Sequence, residues 1–107
     1  MKIPDYFRVG GQLLEVKFPQ SIEGDKLGKC CLAEGIIKIA KTFNGIEQSE
    51  SSQQNTFFHE LVHSILDTMG RGDLSGDEPF VNTFASFLNE AYYSSGYYEK
   101  GTDKEKG

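Results

Sequence analysis

The only two histidines of this 107-residue chain stand four residues apart, as His59-Glu60-Leu61-Val62-His63. Phe58, Leu61, Val62, Ile65, Leu66 and Met69 surround them at helical intervals, which predicts an amphipathic helix. In a helix, positions i and i+4 share one face about a turn apart, so both imidazoles can reach a single ion. Glu60 sits on the flank of that face, where it can touch a water on the ion without taking a coordination position.

The chain before this helix reads as β structure. Tyr6 to Val9, Gly10-Gly11 and Gln12 to Phe18 form a hairpin signal, because a glycine pair supplies the positive φ angles of a two-residue turn. Leu14, Val16 and Phe18 alternate with Leu13, Glu15 and Lys17, giving a buried and a wetter face, and Pro19 ends the strand. After a polar loop over 20–28, a second hairpin is expected: Lys29 to Ala33, a turn at Glu34-Gly35, then Ile36 to Lys41 with Ile37 and Ile39 inward. Residues 44–55 read as a polar connection, and Ser51 with Gln54 forms a capping-box pattern that places the helix start there. Gly70 should close the helix, and residues 70–76 read as a flexible turn. Asp77-Glu78-Pro79 opens a second helix, with Val81, Phe84, Ala85, Leu88 and Tyr92 as its apolar stripe. The expected class is α+β: an N-terminal antiparallel or mixed sheet of about four strands, then the histidine helix and a second helix. Residues 1–98 are read as a single domain, and 99–107, which hold no apolar residue, as a disordered polar tail.

Bulk properties exclude several classes. The length allows one modest core, and 37% apolar content is ordinary for a globular protein. A net charge of −5 argues against a nucleic-acid partner. No run approaches the roughly 18 apolar residues of a membrane span, and the start Met1 to Tyr6 lacks the apolar core of a signal peptide. The only cysteines, Cys30 and Cys31, are adjacent, so a bridge between them is geometrically poor. Reduced thiols and a cytoplasmic address are expected.

Catalytic zinc commonly takes three protein ligands and leaves a position for water, so the histidine pair needs a third partner. Cys30 and Cys31 are candidates, but acids on an antiparallel second helix are better placed. With Val81 at the centre of the inward stripe, Glu78 lies a turn back and about 60° round, and its side chain is long enough to cross to the facing helix. Asp77 also points inward but is shorter and suits an N-cap. Glu78 is favoured and Asp77 is the alternative; both also suit the helix dipole without any metal. Asp67 continues the histidine line, but lies about 12 Å along the helix from His59, so it is expected to support His63 or to be a surface acid. Asn82 is a candidate to hold a histidine tautomer, or else an ordinary exposed residue.

His-Glu-x-x-His is the pattern of zinc-dependent hydrolases. With a β-rich start, the helix around Thr56 to Ile65 and a second helix opening at Glu78, the chain resembles small gluzincin-type zincins. These include minimal one-domain forms and metallopeptidase-like proteins encoded by phages and prophages. The resemblance spans roughly residues 29–92, its specific part being the motif and Glu78. It implies Zn2+ held by His59, His63 and Glu78, Glu60 as general base, and a peptide or protein substrate laid along an edge strand, for which Ile36 to Lys41 is the expected element. Asn82 stands where larger gluzincins place an acid. Tyr92, Tyr93, Tyr97 and Tyr98 are the candidates for stabilising an oxyanion. The expected function is that of a zinc-dependent metallopeptidase-like protein. The alternatives are a zincin-fold metal-binding module with a regulatory role, and a chance motif in an α+β domain without metal.

Overall fold

Gly10 and Gly11 both adopt positive φ, 58° and 87°, and join strands β1 (Tyr6–Val9) and β2 (Gln12–Lys17) into the expected hairpin. The computed structural model describes residues 3–96, so Tyr97, Tyr98 and the polar tail over 99–107 lie outside the described residues. Two further strands, β3 (Gly28–Cys31) and β4 (Ile36–Ile39), complete a mixed sheet in the order β1-β2-β4-β3. Together with the helices that follow, this is the α+β architecture expected.

One expectation about the sheet is corrected. The segment Ile36 to Lys41 is not an edge: β4 pairs in parallel with β2 on one side and antiparallel with β3 on the other. The edge beside the helices is β3. Hydrophobicity explains the exchange, because Ile37 and Ile39 are fully buried while β3 carries Gly28 and the exposed Lys29. The most apolar strand takes the interior, and the weaker strand former takes the rim. Between them the expected turn at Glu34-Gly35 is a 3-10 turn, Leu32–Glu34, closed by Gly35. The connection after β4, read as plain polar loop, holds a small ladder of β5 (Thr42–Phe43) and β6 (Ile46–Glu47).

Helix α1 (Glu50–Thr68) lies across the sheet and buries Phe57, Phe58, Val62 and Leu66 with Val16, Ile37 and Ile39. Its cap is Ser49, not Ser51: the Ser49 hydroxyl accepts from the Ser52 amide at 3.1 Å. The Ser51–Gln54 pairing fails because Gln54 is fully buried and donates instead to Asn89 across the helix interface. Gly70 follows the helix end with φ 76°, as expected, but Met69 is 63% exposed and outside the core. Residues 70–76 are not a flexible turn; they contain the short helix α2 (Gly72–Ser75). Helix α3 (Glu78–Tyr93) starts where expected, with the Asp77 carboxylate accepting from the Phe80 amide and Pro79 in the first turn. Val81 and Ala85 are buried against α1, whereas Phe84 and Tyr92 of the expected stripe are about half exposed, at 45% and 48%. No helix among the described residues is long and apolar enough to cross a membrane.

Candidate metal centre

Helix α1 presents His59 and His63 one turn apart, with their Nε2 atoms 3.2 Å from each other. The first turn of α3 brings Glu78 to both: its Oε1 lies 3.5 Å from His59 Nε2 and its Oε2 3.5 Å from His63 Nε2. A tetrahedral ion with ligand bonds of about 2.0–2.1 Å holds its donor atoms about 3.3–3.4 Å apart. Each imidazole thus faces its own oxygen of Glu78, and one donor atom from each of the three side chains lies within 4.8 Å of the others, so this group could hold a metal ion.

The other candidates fall away for physical reasons. Asp77 is occupied as the α3 cap. The Cys30 thiol opens on the cleft, but burial first, then the carboxylates of Glu60 and Asp67, push its pKa up to about 11. Its sulfur is also not among the donor atoms that gather with His59, His63 and Glu78. Both cysteines are free, in keeping with their adjacent positions on a strand. Asp67 borders the cleft without joining the cluster.

The partner of His63 is one that the sequence reading missed. His63 Nδ1 lies 2.9 Å from the hydroxyl of Ser75, at the end of α2. With Nδ1–H donating to that oxygen, Nε2 keeps its lone pair directed at the cluster, the tautomer a metal ligand needs. Nothing in the glycine-rich stretch around Ser75 signals this role, because it depends on α2 folding back onto α1. Asn82 is exposed and lies beside His59, where it favours the protonated ring. Burial and the neighbouring His63 act more strongly and lower the pKa of His59, which leaves its ring neutral near pH 7. Replacing Ser75 with alanine is expected to weaken metal affinity about 10- to 100-fold while leaving helix content intact. An unchanged affinity in a competition titration would remove Ser75 from the site.

Glu60 stands behind the histidine pair with only 7% of its surface exposed. Burial, reinforced by the carboxylate of Glu78, pushes its pKa up to about 7, while Lys26 pulls the other way. The wall beside it is the edge strand, and Gly28 permits the contact. A Cβ added there would come within 2.5 Å of Thr56 Cγ2 and 3.0 Å of Glu60 Oε2. Gly28→Ala is thus expected to cost about 1–3 kcal/mol in denaturant unfolding by forcing β3 away from α1. A midpoint equal to that of the wild type would show that the contact is slack.

A cleft of about 310 Å3 joins these groups, bounded by β3 on one side and by α1 and Glu78 on the other. Tyr92 and Tyr93 do not line it. Tyr92 lies about 21 Å along α3 from Glu78 and packs on Phe58 instead. The cations at the cleft are Lys26 and Lys29, neither of which stood out in the sequence. Comparison of the chain with protein-family models, curated proteins and solved structures finds no match.

Proposed function

We propose that this protein is a zinc-dependent, metallopeptidase-like hydrolase in which His59, His63 and Glu78 bind Zn2+ and Glu60 is the general base. The observation that carries the reading is the cluster in which the two Nε2 atoms lie 3.2 Å apart and each lies 3.5 Å from a different oxygen of Glu78, set beside a buried carboxylate. Two imidazoles and one carboxylate are a donor set suited to zinc, leaving one position open. Zinc bound there would supply Lewis acidity toward a carbonyl oxygen and make water easier to deprotonate.

The chain's own groups would do the rest. The Glu60 carboxylate would accept the proton of the attacking water and return it to the leaving amine, a shuttle suited by a pKa near neutrality. Strand β3 has β4 on one side only, so its outer amides and carbonyls can receive an extended peptide as an added strand. Gly28 brings that strand close to Glu60. The substrate class is therefore peptide or protein, and free Cys30 and Cys31 accord with work in the reducing cytoplasm. The test is cleavage of unfolded protein by the zinc-loaded wild type and by Glu60→Gln. Cleavage by both alike refutes the mechanism, and zinc binding with cleavage by neither assigns the protein to a metal-binding interaction role.

A further inference from the structure

Next to the cluster lies a second recess of about 310 Å3 that shares Lys26, Gly28, His59 and Glu60 with the cleft and is otherwise bounded chiefly by Asn55 and Asn82. Its polar groups are unevenly matched. Lys26 forms no ion pair among the described residues. The Asn55 oxygen is engaged by the Asn89 amide at 3.4 Å, which leaves the NH2 group of Asn55 without its own acceptor among these hydrogen bonds. Thr56 also lines the recess, but its hydroxyl donates to the Ser52 carbonyl, so it adds no competing acceptor demand. An ammonium and amide donors remain, facing a single carboxylate that the proposed reaction reserves for water.

We propose that this recess receives a carboxylate of the bound peptide, paired with Lys26 and hydrogen-bonded by Asn55. The inference rests on the reading that the neighbouring cluster acts on peptides, and it names which peptides. The volume accommodates a whole residue end, so the carboxylate can be that of a glutamate or aspartate side chain or that of a chain terminus. Lys26 also offsets repulsion between the incoming carboxylate and Glu60, which a neutral lining would leave in full. An exposed lysine is screened by solvent, so its discrimination is modest.

The test measures Kd for blocked heptapeptides in which one glutamate is moved through the sequence, for their glutamine and lysine counterparts, and for the glutamine peptides with a free C-terminal carboxylate. Measurements use the zinc-free wild type and the zinc-loaded Glu60→Gln protein, so that binding is read without turnover. A carboxylate peptide is expected to bind about five- to tenfold more tightly than its neutral match. Lys26→Met should erase that preference, and Lys26→Glu should invert it toward lysine-bearing peptides. Preference for the internal glutamate assigns the recess to an acidic side chain, and preference for the free terminus assigns it to the end of a chain. Equal binding of acidic and neutral peptides, or a preference that survives Lys26→Met, overturns the proposal. Failure of the wild type to cleave any peptide would count against the hydrolase reading alone, because the binding comparison still decides the recess.

Discussion

One equivalent of zinc is expected to raise the melting temperature of the metal-free protein by about 10–20 °C at a free concentration near one hundred times Kd. The ion would tie the middle of α1 to the first turn of α3, through side chains whose donor atoms gather within 4.8 Å of one another, and an unfolded chain offers no such cluster. His59→Ala and His63→Ala should each abolish stoichiometric binding. Glu78→Ala should weaken zinc more than Asp77→Ala does, because the Asp77 carboxylate is engaged with the Phe80 amide at 3.2 Å. Loss of that cap is expected to cost about 1 kcal/mol of stability with little effect on the metal. Protein purified without chelator that contains no metal, and whose melting temperature zinc does not shift, would remove the metal centre altogether.

Glu60→Gln is expected to lower hydrolysis by about 10²- to 10⁴-fold while retaining zinc. It should also stabilise the metal-free protein at alkaline pH. Burial raises the pKa of Glu60 from 4.5 to about 7 in the folded state. Between those values the folded protein keeps a proton that the unfolded chain has released. Stability from this group is therefore full below about pH 4.5, falls as pH rises through about 7 and levels off above it. The loss amounts to about 2–3 kcal/mol for a group this deeply placed. His59 contributes in the opposite sense, since its lowered pKa makes stability rise with pH through its titration. The difference between wild type and variant isolates Glu60. Urea unfolding in the presence of chelator at pH 5 and pH 8 should show that difference growing with pH, with the variant the more stable at pH 8. Parallel curves would mean that Glu60 is not held in a desolvated site, and the argument for a proton shuttle would lose its basis.

Such a trade of stability for a poised acid is common where a charge must be held away from water. The same packing explains why Glu60 cannot be relieved by a local shift. Gly28 and Thr56 close over it, and β3 is fixed to β4 through four paired positions.

The local sequence determined the elements whose signals act over a few residues. The Gly10-Gly11 turn, the inward alternation of Leu14 and Val16, the Asp77 cap and the shared helix face of His59 and His63 all follow from backbone geometry and spacing, and the structure contains each of them. Glu78 was also legible, because helix periodicity relative to Val81 fixes its direction once two antiparallel helices pack. Other features depend on contacts between distant segments. The rank of β4 inside the sheet and of β3 at its rim was settled by competition between strands for burial. Ser49 prevailed over Ser51 as the cap once Gln54 was drawn into the interface with α3. Ser75 reaches His63 because α2 folds back, and Lys26 reaches the cleft because its loop leads into β3. Periodicity fixes a side chain's direction on its own element, whereas its partner is chosen by how the elements share one core, and that choice is made only when the whole chain packs.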